Sequence, residues 1–193
     1  MIVYHGSPVD IINEVIEPRQ AFNLDIYSKG VYVTTDKITA LLYSVNPIKS
    51  YFINHNVNLD ASAFTSYIEF GKYPIKVYEL YEGMFDELFN KKGYIYIADE
   101  PEEDLISTES SVNEFFIERA VKIIDKIVID NVWKEICNLS KSNIIEIIYY
   151  KNWDGSNRRY FFDRYVETRA EFCKTEEELK FFLDKFKIKG KIK

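Results

Sequence analysis

The sequence predicts an α+β fold on three observations. Short runs of β-branched and aromatic residues bounded by turn residues recur through residues 1–130, a helical period follows the second of these runs, and beyond residue 131 the helical period takes over. Ile2-Val3-Tyr4-His5 is the first strand, closed by the turn cluster Gly6-Ser7-Pro8, so it delivers His5 to a strand end. Val31-Tyr32-Val33-Thr34, entered through Gly30, is the second. Thr35 or Asp36 then caps a helix whose apolar face is Ile38, Leu41, Leu42 and Val45, at helical spacing.

Asp60 is expected to cap a further helix running to about Phe70, with Gly71 just past its end. Ile75 to Leu80 alternates as a half-buried strand, and Gly93 introduces another, Tyr94 to Ala98. From Asp99 to Ser111 the chain is acidic and polar without a period, which predicts an exposed loop of the kind that carries function on a rigid sheet. Glu114 to Ile117 and Val121 to Ile129 read as two adjacent strands. Past Asn131, the residues Val132, Ile136 and Leu139 make one helical stripe, and Arg158 to Phe172 makes a second, basic and aromatic. Thr175-Glu176-Glu177-Glu178 is a capping box ahead of Leu179, Phe182, Leu183 and Phe186. The expected architecture is therefore a domain at 1–130 with a helical extension, 131–193, packed on it.

A chain of 193 residues that is 47% hydrophobic suffices for one core and leaves little room for a second. Seven Gly and five Pro are roughly half of average usage, which excludes collagen-like and long disordered readings. No apolar run approaches the ~18 residues of a membrane span, and the N-terminus lacks the basic flank and apolar stretch of a signal peptide. A cytoplasmic protein with no membrane partner is the expectation. Cys137, Cys173, His5 and His55 are too few and too scattered for a zinc site or a disulfide framework, so no metal is expected. The net charge of −6 argues against a general nucleic-acid binder, but it is uneven. Residues 1–130 carry 11 Lys and Arg against 21 Asp and Glu, a net of −10, and residues 131–193 carry 14 against 10, a net of +4. Within that basic part, Asn157 to Tyr165 has the composition of a nucleic-acid stacking surface, yet it reads better as an amphipathic helix docked by its aromatic side.

Three segments carry chemistry: Tyr4-His5-Gly6-Ser7, then Lys29 to Thr34 with Tyr43 following on the next helix, then Asn113-Glu114-Phe115-Phe116-Ile117. Each puts a polar group at a strand. The arrangement resembles the ADP-ribosyltransferase superfamily, in the branch related to diphtheria toxin and the poly(ADP-ribose) polymerases, whose signature is a His, a Tyr and a Glu on three separate strands. Its first motif is His-Gly-Ser or His-Gly-Thr, its second a strand Tyr entered through Gly and followed by a helix bearing another Tyr, and its third Asn-Glu-aromatic. All three stand in this sequence in that order, within residues 1–130.

The resemblance implies a split, mostly antiparallel β core of two sheets with a nicotinamide cleft between them, and a His5, Tyr32 and Glu114 triad acting on NAD as substrate without a metal. It implies that Gly6 presents backbone groups to the nicotinamide carboxamide, that Ser7 lies alongside, and that Tyr32 and Tyr43 sandwich the ring. His5 is then expected to bond the adenine-side ribose. Glu114 is expected to bond the hydroxyl of the nicotinamide ribose and to stabilise the charge that develops as the glycosidic bond breaks. Arginine-modifying members of the superfamily carry an Arg on the first strand, a Ser-Thr-Ser motif, and a Glu or Gln two residues before the catalytic Glu. This sequence has His5, no Ser-Thr-Ser, and Val112, so arginine modification is disfavoured. A bacterial or phage effector or toxin role follows from family habit alone.

Elementary chemistry supports the same residue types. Cleaving nicotinamide from its ribose passes through an oxocarbenium-like state, which a fixed carboxylate such as Glu114 favours. Aromatic faces stack on a planar pyridinium with a cation–π contribution of about 0.5–2 kcal/mol, and a Gly at a strand end lets backbone approach a ligand. The expected function is transfer of ADP-ribose from NAD to a macromolecular acceptor with release of nicotinamide. The alternatives are an NAD glycohydrolase using the same site, and a non-catalytic nucleotide- or partner-binding module with the C-terminal helices as its protein contact surface. An RNA 2′-phosphotransferase ranks last, because phosphate sites of that kind use several arginines and residues 1–130 contain only Arg19 and Arg119.

Overall fold

The structure, a computed structural model, describes residues 1–20, 29–45, 68–69, 73–79, 82–108 and 113–152. In chain order the elements are β1 (Ile2–Ser7), β2 (Val15–Ile16), β3 (Arg19–Gln20), β4 (Lys29–Thr34), α1 (Lys37–Tyr43), β5 (Ile68–Glu69), β6 (Ile75–Tyr78), α2 (Met84–Leu88), β7 (Gly93–Asp99), β8 (Ile106–Ser107), β9 (Glu114–Ile117), β10 (Val121–Lys122), β11 (Asp125–Ile129), α3 (Val132–Lys141) and β12 (Ile145–Ile148). The fold is mixed α+β and mostly antiparallel. The main sheet runs β11-β7-β1-β4-β9-β8, with β3 joined to β4. A smaller sheet runs β12-β6-β5, with β12 parallel to β6, and β10 pairs with β2 in a ribbon.

Alternation along the strands divides the apolar residues between two cores. Ile95 of β7 faces a core built with Leu41 and Leu42 of α1, Ile75 and Val77 of β6, Phe85 of α2, Val132 and Ile136 of α3 and Ile145 of β12. Its neighbours Tyr94, Tyr96 and Ala98 face the other, with Val3, Val31, Val33, Ile117, Ile16 and Val121. The helices and the small sheet thus cover one face of the main sheet, and the β2–β10 ribbon covers the other.

Two glycines let α1 sit down on the sheet. A Cβ on Gly6 would stand 2.0 Å from the Ala40 carbonyl oxygen, and one on Gly93 would stand 2.8 Å from that of Ser44. Asp36 starts this helix, accepting from the backbone N–H of Ile38 at 3.0 Å and of Thr39 at 3.3 Å, so of the two expected caps it is the one used.

Several expectations need correction. Residues 68–69 are a strand and not the end of a helix; the rest of the expected helix at 60–70 lies outside the described residues. The acidic stretch after Asp99 is not simply exposed: Glu100 and Thr108 are buried, and Ile106–Ser107 pairs with β9. An ion pair between Glu100 and the Arg119 guanidinium at 2.5 Å, together with a contact of Arg119 to Asp104, compensates that burial. The run from Val121 to Ile129 is two strands, because β10 pairs with β2 whereas β11 pairs with β7, and neither lies next to β9. Among the described residues past 131, α3 is the one α-helix, and β12 after it joins β6; Val132, Ile136 and Ile145 share the core of α1. The helices expected over 158–172 and from Thr175 onward lie outside the described residues. α2 was not foreseen, being five residues long and without a side-chain N-cap.

Candidate functional site

The three polar segments meet where the main sheet is incompletely sewn. β1 pairs with β7 along its whole length, from Ile2–Asp99 to Ser7–Tyr94, but with β4 at Tyr4–Thr34 alone. β4 in turn pairs with β9, which puts Glu114 opposite Thr34 and Phe116 opposite Tyr32. Tyr4, Thr34 and Glu114 therefore form a row across three strands on one face, since directly paired residues share a face. Tyr32 stands on the same face two residues along β4.

His5 bridges the opening between β1 and β4. Its Nδ1 is 2.7 Å from the Tyr32 carbonyl oxygen, and because a carbonyl only accepts, Nδ1 carries the proton. Burial pushes the imidazole below its ordinary 6.5, the bond to Tyr32 opposes this, and the charge of Arg19 pushes it further down. The ring is thus neutral, with Nε2 left as an acceptor able to receive a ligand hydroxyl.

A cavity of about 230 Å³ opens at this point. Of the residues expected at the site, His5, Gly6, Tyr32, Tyr43 and Glu114 line it, and Tyr4, Val33 and Thr34 are the other described residues in its wall. Ser7 does not line it. Ser7 is a buried residue whose hydroxyl accepts from the Val9 N–H at 3.1 Å, holding the turn out of β1. Gly6 lines the cavity, but the space of its missing Cβ is taken by α1, so close helix packing already requires glycine there.

Electrostatics tie the two tyrosines to the carboxylate. The Tyr43 hydroxyl, on the last residue of α1, is held well above the usual phenol range by burial first and by the charge of Glu114 second. Tyr32 is raised by the same two causes in the same order. Its hydroxyl oxygen is buried and makes no hydrogen bond within the described structure. An orphaned buried hydroxyl costs about 1–3 kcal/mol relative to a paired one, so this atom is free to serve a ligand.

Glu114 is anchored by a residue the sequence reading missed. Thr108 Oγ1 lies 3.2 Å from both the main-chain oxygen and Oε2 of Glu114, and the Thr108 N–H donates to that main-chain oxygen at 3.0 Å. Thr108 belongs to the polar stretch that reads as loop, and only its pairing beside β9 reveals it. The one available signal was Ile106, a β-branched residue in an otherwise acidic run. Thr34 was within reach by alternation from Tyr32, whereas Tyr4, next to His5 and on the other face of β1, is brought in by its pairing with Thr34.

Among the described residues, no group of three or more His, Cys, Asp or Glu is placed to hold a metal ion, and no helix is long and apolar enough to cross a membrane. No protein-family model, curated protein or solved structure matches the chain, so what is known of the site is its own geometry.

Proposed function

We propose that this protein is an NAD-dependent ADP-ribosyltransferase of the His-Tyr-Glu type, with NAD as substrate and nicotinamide as leaving group. The observation that carries the reading is the convergence of His5, Gly6, Tyr32, Tyr43 and Glu114, drawn from three distant stretches of chain, on one cavity. The single pairing of β1 to β4 agrees with a split core.

The residues fit NAD in type. Tyr32 and Tyr43 offer two aromatic faces for a pyridinium ring. Neutral His5 offers an acceptor at Nε2 for a ribose hydroxyl, and Glu114 offers a second. In the reaction, the bond between C1′ of the nicotinamide ribose and the ring nitrogen breaks, and its electron pair neutralises the pyridinium as nicotinamide leaves. An acceptor oxygen or nitrogen forms the new bond to C1′ and gives up its proton. Glu114, anchored by Thr108, favours the positive charge that develops on the sugar between these events. When water is the acceptor, the same steps make the protein a glycohydrolase. Holding the sugar against Glu114 accounts for much of such a rate.

The test is to incubate the protein with NAD, first without an acceptor and then with a cell extract, and to follow nicotinamide by chromatography. Glu114→Ala is expected to lower release by at least about 100-fold while changing NAD affinity by less than about tenfold. Equal losses of binding and turnover would remove Glu114 from the chemical step, and NAD binding without release under either condition would leave a nucleotide-binding module.

A further inference from the structure

Among the described residues, the arginine beside this cavity has no acidic partner. Arg19 lies on β3 directly opposite Gly30 of β4, and Gly30 is two residues from Tyr32, so Arg19 stands on the face of the sheet that carries Tyr32. Its positive charge reaches the His5 imidazole, which lines the cavity. It is exposed and forms no ion pair with any described residue. Arg119, the other arginine of residues 1–130, is held by Glu100 and Asp104, and Lys126 is held by Asp10. Acids outnumber bases 21 to 11 in that part of the chain, so it is not for want of carboxylates that Arg19 has no partner among the described residues.

The size of the cavity gives the second argument. At about 230 Å³ it falls below the ~300–1,000 Å³ of sites that enclose a whole drug-sized ligand. A ligand that fills it with a ring and sugar must continue outside, and Arg19 is a described cation whose charge reaches the His5 side.

We infer that Arg19 is an anion-binding residue of this site and that it selects ligands carrying phosphate or pyrophosphate just beyond the group held in the cavity. The inference rests on the reading of the cavity as an NAD site. A guanidinium suits the task because its planar fork matches two phosphate oxygens with charge-assisted hydrogen bonds. His5 and Arg19 then act on adjacent parts of one ligand, the imidazole on a hydroxyl and the guanidinium on the neighbouring phosphate.

The experiment compares calorimetric affinities for NAD and for nicotinamide riboside, which lacks phosphate, in the wild type, Arg19→Gln and Arg19→Lys. Arg19→Gln is expected to weaken NAD by about tenfold or more and to leave the riboside within about twofold, with Arg19→Lys in between. Added salt is expected to weaken NAD binding to the wild type more than to Arg19→Gln. An unchanged melting temperature shows that the exposed substitution leaves the fold intact. Equal NAD affinity in wild type and Arg19→Gln overturns the assignment of Arg19 and spares the reading of the cavity. So does an equal loss for both ligands, or riboside binding without NAD binding. Failure of the wild type to bind either ligand overturns both.

Discussion

The two flanks of β1 obey different rules. Toward β7 the strand is laddered from Ile2 to Ser7, and Val3 is buried against Tyr94, Tyr96 and Ala98. Toward β4 it is paired at Tyr4 only. There a side chain, His5, occupies a backbone carbonyl that a ladder would otherwise use, and the Tyr32 hydroxyl is left orphaned. One flank makes stability and the other gives some of it up. The cavity is thus a place where strand pairing was left unmade, which explains why polar groups collect in it: an unladdered backbone and its neighbours need partners that a closed sheet supplies internally.

The largest effect comes from the helix that seats on β1 beside both flanks. Gly6→Ala drives a methyl group into the Ala40 carbonyl, 2.0 Å away, and either lifts α1 or bends β1. A loss of about 3 kcal/mol is expected, read as a fall in the urea midpoint. A fall below about 1 kcal/mol would mean that α1 is not seated closely on β1.

The next concerns His5 and pH. Its folded pKa is depressed, chiefly by burial, so as pH falls through the ordinary histidine value near 6.5 the unfolded chain takes up a proton before the folded one does. Stability is therefore level above about pH 7 and declines below about 6.5, by at most about 1.4 kcal/mol per pH unit for this one group. Denaturant titrations across that range check it, and His5→Gln should remove this part of the slope. A slope unaffected by that substitution would show that the opening solvates its histidine.

The smallest effect belongs to Tyr32. Tyr32→Phe deletes a buried hydroxyl with no hydrogen-bond partner among the described residues, so the free protein should gain about 1 kcal/mol in a denaturant titration. With saturating NAD present the gain should vanish if the ligand uses that hydroxyl. A loss of stability in the free protein would instead show that the hydroxyl is already satisfied.

Local signals in the sequence identify the elements that build the site. Ile2–His5, Val31–Thr34 and Glu114–Ile117 are strands because β-branched and aromatic residues are bounded there by Gly, Ser, Pro or Asn. Asp36 caps α1 because its short carboxylate reaches the free N–H groups of the first turn. Long-range pairing is not written locally. Nothing in the apolar run Val121 to Ile129 marks the change of partner at Ile123–Ile124, since both halves are equally β-prone. Glu100 and Thr108 look like loop residues because what allows their burial, Arg119 and Glu114, lies farther along the chain. Ile145–Ile148 becomes a strand by finding an open edge of β6, information carried some 70 residues upstream.

The lone Tyr4–Thr34 pairing has a mechanical meaning as well. It makes the main sheet two plates, β11-β7-β1 and β4-β9-β8, each stitched along its length and joined to the other by a single strand pairing with the His5–Tyr32 hydrogen bond beside it. His5 and Gly6 belong to the first plate, and Tyr32 and Glu114 to the second. A small rocking of one plate on the other alters the gap between the two halves of the site while the ladders inside each plate stay whole.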